Sequence, residues 1–490
     1  MSSTIPDADR KLSYDCLKCV IQKFEANFRF RLAERLPKIR CAEKSVPLNI
    51  SNLTFAEEGF ELNDKDYRLG IICQYRNGHV PETFICKSLY GHPRDIDQFG
   101  FEKRSFPELT PGDIFVQDFN RRWDVDHDLE IQITNDSLKT ERKILISLER
   151  EKIELERALE RVENKPEDPM ELDTAEEVFI EIEAEEEHDP MDIDQHRVAD
   201  QDLSHEEQLE QINRCIQDSK KSLAEFEFDV ERYRCKRENL PSPFDFFIQF
   251  TKTSMNGTVH IERFNYDKSL MEAWKYLICK ILGNRKSVVR IESLGFWAQK
   301  RDGLVVCLPE DIKLDVKNFE TSGNLSEVLK RVEPILEYPN RPFGRLTSDR
   351  LRLEDAHNSK VQNAEVLQLC DSYRDVDYVA LCREVQNKKI VITNGPQMQR
   401  EQYRVLVEDL IDTKGTLGTY YEITQSCERL TKNAMRFIAE RYSNAVVCER
   451  LVIIPLPHQL QLNVSCDPYV MNPRHHLWTM KIEVVQNREN

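Results

Sequence analysis

Between Glu167 and Asp202 the chain carries 16 acidic residues against a single basic one, Arg197. Such a stretch cannot bury enough apolar surface to offset the entropy of ordering it. A disordered acidic linker is therefore expected over 166–203. Of the net charge of −18, −15 resides here, which leaves −3 for everything else. The remainder is nearly neutral and lacks the basic footprint of a nucleic-acid binder.

The segments on either side share one pattern. Leu145, Leu148, Lys152, Leu155, Leu159 and Val162 recur at alternating spacings of three and four in a helix-forming stretch that Pro166 stops. Leu209, Ile212, Ile216, Ser219, Leu223, Phe226, Val230 and Tyr233 repeat it after a Ser204/Glu207 capping box, until Pro241 and Pro243. Two heptad helices, 136–165 and 204–240, roughly 40 and 50 Å long at 1.5 Å per residue, joined by a flexible segment, predict a long antiparallel coiled-coil hairpin.

The rest divides around this hairpin. Residues 1–10 form a polar tail. Residues 11–45 read as short helices: Leu17, Val20, Ile21 and Phe24 make one apolar stripe, with Ser13 as N-cap and Asp15 in the first turn. Asn27 reads as a break, a second helix as Phe30 to Leu36, and a third as Lys38 to Lys44. Residues 46–135 read as a small β-rich region, with short strands at Ile114–Val116 and Leu129–Ile133. Residues 241–490 alternate strand and helix, including a helix over Leu270–Leu282 closed by Gly283. Successive units of roughly 25–35 residues predict parallel pairing through crossovers, either in one open sheet or in a leucine-rich-repeat-like array. The fold class is α+β.

No run of about 18 apolar residues offers a membrane span, and Met1–Arg10 lacks a signal-peptide pattern. With 14 cysteines lying in apolar runs, an intracellular, reduced protein is expected, in cytoplasm or nucleus. Cys16-Leu17-Lys18-Cys19 lacks the second ligand pair a zinc site needs, and reads as buried helix cysteines. His475-His476 are adjacent in a turn. Gly415–Thr419 has no lysine and precedes a strand, so it reads as a helix-ending turn. No nucleophile, metal or dinucleotide motif occurs, and no cofactor is expected. Asp168-Pro169-Met170-Glu171-Leu172-Asp173 recurs as Asp189-Pro190-Met191-Asp192-Ile193-Asp194, either as a bivalent short motif or as drifting low-complexity duplication.

The opening stretch resembles an F-box through Leu12, Leu17, Val20, Ile21 and Phe24, then Leu32, Leu36, Pro37 and Ile39. Leu12-Ser13-Tyr14-Asp15 stands where that motif has Leu-Pro-x-Glu, and the third-helix Trp is absent. The wider chain resembles a nematode-expanded family of uncharacterised proteins with F-box-like N-termini. The matching stretches are LSYDCLKCVIQKFEAN, KSVPLNI, FELNDKDYRLGI, Asp95–Phe101, LTPGD and GTYYEIT. The resemblance implies docking on the linker subunit of a cullin ubiquitin ligase, with Leu17, Val20, Ile21 and Phe24 as the partner-binding face. The expected function is a non-catalytic adaptor, a substrate receptor of such a ligase. A self-associating coiled-coil scaffold is the alternative, and an enzyme of unrecognised type the third class.

Overall fold

The structure, a computed structural model, describes residues 13–76, 90–103, 109–116, 127–163, 205–298, 304–349, 351–370, 377–393, 398–425, 427–468 and 477–487. Leu12, the acidic segment with Ser204, both Asp-Pro-Met copies and His475-His476 lie outside the described residues.

The chain opens with helices α1 (Tyr14–Gln22), α2 (Ala26–Arg35) and, after a 3-10 turn at Pro37–Ile39, α3 (Arg40–Ser45). The Ser13 side chain accepts from the Cys16 N–H, and Asp15 lies in the first turn, as the cap pattern predicts. The second helix starts earlier than expected, because the Glu25 carboxylate caps it by accepting from the Phe28 N–H. Asn27 does not break the chain but sits buried inside α2. Strands β1 (Leu48–Ala56), β2 (Gly59–Leu62), β3 (Lys65–Tyr75) and β4 (Asp113–Phe115) follow.

Two long helices come next, α4 (His127–Glu163) and α5 (His205–Arg237). Leu129–Ile133 corrects an expectation: its apolar–polar alternation reads as a strand, yet it forms the first turns of α4. Extending an existing helix costs far less than nucleating a new element, and Asn135 Nδ2 donates back to the Ile131 carbonyl.

The second half contains β5 (Phe244–Ser254), β6 (Val259–Asn265), α6 (Leu270–Leu282), β7 (Val289–Trp297), β8 (Val305–Cys307), β9 (Leu314–Thr321) and α7 (Leu325–Val332). Then come β10 (Arg345–Ser348), α8 (Ser359–Asn363), β11 (Val366–Cys370), α9 (Tyr378–Glu384), β12 (Lys389–Thr393) and α10 (Arg400–Asp409). The chain closes with β13 (Tyr420–Gln425), α11 (Glu428–Arg441), β14 (Val446–Val447), β15 (Leu451–Leu456), β16 (Leu460–Pro468) and β17 (Trp478–Gln486). Helix α6 has the expected bounds: a Ser269/Glu272 capping box starts it and Gly283 caps it. Helix α7 stops at Val332, because Pro334 lies in the 3-10 turn that follows.

One mixed sheet of 15 strands runs through both halves, in the order β14-β15-β16-β17-β13-β12-β11-β10-β9-β7-β1-β2-β3-β5-β6. Strands β7, β9, β10, β11, β12 and β13 are parallel and follow one another in chain order. Strand β1 joins them as a parallel neighbour of β7, with Leu48 opposite Val289. Antiparallel wings extend both ends. Right-handed crossovers that all step in one direction lie on one face of a sheet. Burial agrees, because β11 and β12 alternate: Leu367, Leu369, Ile390 and Ile392 are buried, whereas Gln368 and Val391 are half-exposed. The inward rows join Val328, Leu406 and Ile438 from the helices in one apolar core.

Candidate protein-interaction surfaces

Most of the distinctive motifs prove to be joints. Asp95–Phe101 forms a socket between helices: Asp95 Oδ1 accepts from the Tyr266 hydroxyl at 2.8 Å and the Leu270 N–H at 2.9 Å. The Phe99 and Gly100 carbonyls accept from Arg232 of α5 at 3.1 and 2.5 Å. Gly100 has φ +82°, where a β-carbon would lie 3.4 Å from that guanidinium. In Leu109–Asp113 the Asp113 carboxylate accepts from Thr110 and from Lys275. Lys275 Nζ also donates to the Pro111 and Leu308 carbonyls, tying the turn to α6. Gly415–Thr419 ends the helical turn at Leu410–Lys414 and leads directly into β13, with Gly418 at φ +84°. Groups engaged in this way are not free for chemistry.

Cys16 and Cys19 are exposed rather than buried. They lie on the outer side of α1, because Leu17 and Ile21 turn inward. Among the described residues no group of three or more His, Cys, Asp or Glu could hold a metal ion. Among the same residues no helix is long and apolar enough to cross a membrane.

The N-terminal helices divide their apolar residues between two sides. Ile21 is 1% exposed, in a small core with Ala42 and Val46, backed by Leu17 and Ile39. Phe24 is half-buried and meets the Phe28 ring edge-on at 4.8 Å. Tyr14, Val20, Phe28 and Leu36 are exposed. Of the four residues expected to bind a partner, Ile21 is thus structural, Leu17 and Phe24 are intermediate, and Val20 is open to solvent.

This unit is fixed to the sheet by buried polar groups. Asn27 Nδ2 donates to the Leu62 carbonyl and to Asp64, both at 2.9 Å, and its Oδ1 accepts from the Tyr67 hydroxyl at 2.7 Å. Burial pushes the Tyr67 phenol above its usual range. Arg29 and Glu43 form a fully buried ion pair at 3.0 Å. Arg29 also donates to the Glu43, Val46 and Pro47 carbonyls. Arg285, just past α6, donates to both Glu43 oxygens, at 3.0 and 3.3 Å. Burial pulls both guanidiniums below their ordinary pKa, and Glu43 opposes that shift. Burial, then Arg285, brings the Lys44 ammonium down to about 8. Lys44 nevertheless donates to the Lys280 and Ile281 carbonyls at 2.8 Å. Two guanidiniums converge on one carboxylate where α3 meets the end of α6, with the Lys44 ammonium beside them on backbone carbonyls.

The second surface is the sheet face away from the helices. One cross-strand row reads Glu61, Thr54, Gly295, Glu320, Thr347, Gln368, Val391, Glu422 and Lys481. It is mainly polar. Arg345 donates to Gln368 at 2.5 Å, Tyr420 to Glu422 at 2.6 Å, and Trp297 Nε1 to Glu320 at 3.2 Å. Burial and the neighbouring Asp66 raise the Glu61 carboxyl. A β-carbon at Gly295 would stand 2.5 Å from Glu320 and 3.0 Å from Thr54, so glycine leaves room for both side chains. Nothing in the row pairs a nucleophile with a base. Its chemistry is that of a hydrogen-bonding surface.

With this geometry in hand, comparison adds one likeness. Residues 269–426 match the model of a family described as a domain of unknown function, DUF3557. The match covers about a third of the chain, from the cap of α6 to just past β13, the parallel part of the sheet. No curated protein and no solved structure matches the chain.

Proposed function

We propose that the chain is a non-catalytic, intracellular adaptor. The outer side of α1 and α2 docks on a partner, and the open polar sheet face holds a target. The observation that carries this reading is the split of the N-terminal helices: Ile21 is sealed inward, while Tyr14, Val20, Phe28 and Leu36 stay exposed on a unit pinned by buried charges. A rigid unit presenting apolar side chains loses little conformational freedom on binding. On the F-box resemblance the partner is the linker subunit of a cullin ubiquitin ligase. The strictly sequential parallel strands support a leucine-rich-repeat-like array as the target-holding part.

Co-purification of the full chain with the linker subunit, beside an F-box protein as positive control, tests the ligase role. Retention by the wild type and its loss in Val20→Asp and Phe28→Asp, with unchanged thermal melts, is the expected result. If the wild type is not retained, the receptor role is wrong.

A self-associating scaffold is the second reading. Helices α4 and α5 pair antiparallel, through Arg142–Glu227, Glu149–Lys220 and Glu141–Ser219, in line with a coiled-coil hairpin. Ile133, Ile144, Ile146 and Ile153 remain exposed on α4, which favours a further helix partner. Light scattering on Ile146→Lys/Ile153→Lys in the full chain checks it: an oligomer unaffected by the change removes this surface.

A further inference from the structure

The sheet ends at β6, and every residue of Val259–Asn265 is exposed. Among the described residues no strand pairs with its outer side. The direction of its backbone groups follows from the ladder. The Tyr266 N–H donates to the Phe246 carbonyl, and the Thr258 carbonyl accepts from the Ser254 N–H. Hydrogen-bonded pairs alternate along an antiparallel ladder. The even-numbered residues of β6 therefore bond to β5. Val259, Ile261, Arg263 and Asn265 turn their N–H and C=O groups to the free edge.

We propose that this edge pairs antiparallel with β6 of a second copy of the chain, centred on Ile261. A two-fold axis normal to the sheet reverses the strand and keeps its faces, so odd residues meet odd and even meet even. Centred on Ile261, the outward groups of Val259, Ile261 and Arg263 meet those of Arg263, Ile261 and Val259 in the other copy. Each such pair exchanges two backbone hydrogen bonds. Ile261 packs on its own copy, a β-branched pair that suits a sheet face. On the other face His260 lies across from Glu262 of the other copy, and Glu262 from His260. In β6 itself these two side chains already meet at 2.9 Å. Moving the centre to Glu262 or to Arg263 sets like charge against like charge. Moving it to His260 leaves the outward groups of Arg263 and Asn265 unpaired. The strand is complementary to itself in one register.

Sedimentation velocity of the full chain over a concentration series tests this. The wild type should dimerise reversibly. Ile261→Pro removes an N–H that points only to the free edge, where proline is tolerated, and two such bonds vanish by symmetry. The dissociation constant should rise at least about tenfold with an unchanged thermal melt. His260→Glu should weaken the dimer, and His260→Glu/Glu262→His, which exchanges the two partners, should restore it. A monomeric wild type overturns the proposal, even one that captures another chain's peptide at this edge. A dimer that Ile261→Pro leaves intact overturns it as well, and dissociation by the α4 double lysine variant alone would assign the contact to the long helices.

Discussion

Two parts of the molecule use ion pairs in opposite ways. Arg29, Glu43 and Arg285 are sealed from water, and each partner is needed because the others are already desolvated. Between α4 and α5, Arg142–Glu227 and Lys220–Glu149 join side chains about half exposed. A buried charge that loses its partner is stranded in low dielectric, whereas an exposed one returns to water. Equal geometry therefore carries unequal consequences. The N-terminal helices depend on specific buried charges, while the ion pairs between the long helices stay open to water, and Phe228 of α5 packs instead on Tyr75 and Phe244 of the sheet.

The sharpest way to break this contrast is Glu43→Gln. It leaves two guanidiniums buried without a counter-charge and should cost about 3–5 kcal/mol by urea unfolding. A loss below about 1 kcal/mol would mean that water reaches the cluster. Next in size, Ile21→Ala should cost about 2–4 kcal/mol through the lost contacts and the cavity left behind. Val20→Ala, one residue away on the exposed side, should stay within about 0.5 kcal/mol. Equal losses at the two positions would contradict the two-sided packing of α1.

Lys44 sharpens the comparison through pH. Its folded pKa of about 8 lies below the usual lysine value. From pH 8 up to that value the unfolded chain binds more protons, so stability should rise with pH. The difference between wild type and Lys44→Met across this window should be on the order of 1 kcal/mol, reduced by partial solvent access. Thermal melts at pH 8 and pH 10 measure it, and a parallel response in the two proteins would remove Lys44 as the cause. The smallest effect belongs to the long helices: Arg142→Ala should change stability by no more than about 0.5 kcal/mol.

Local pattern foretold much of the fold. Gly283 marks the end of α6. Alternation in Lys389–Ile392 or Leu460–Val464 marks strands whose two faces differ. Where a strand is short and carries a single apolar residue there is no alternation to read: β10, Arg345–Ser348, has only Leu346, and this strand was not foreseen. Neither was α9, seven residues long and without a full apolar period. The charge cluster left no trace at all. Arg29 and Glu43 look like surface residues of short helices, and Arg285 like part of a polar loop, until the pairing of β1 with β7 brings them together. On the candidate surface the helical period located the stripe but could not say which side of it faced a neighbour. Cys16, Cys19 and Val20 fell on the outer side because the small core forms under Leu17 and Ile21.

The place of β1 has a consequence for the order of events as the chain is made. Leu48 cannot find Val289, nor Glu43 find Arg285, until some 240 residues more have left the ribosome. Contacts so distant in sequence form late. The N-terminal helices, although synthesised first, must wait with Glu43 lacking Arg285 and Leu48 lacking its β7 neighbour while the long helices and β5–β6 emerge. During that interval their apolar surface invites chaperones and premature partners. A docking face that is finished only when the sheet behind it closes would report, to whatever binds it, that translation has passed β7.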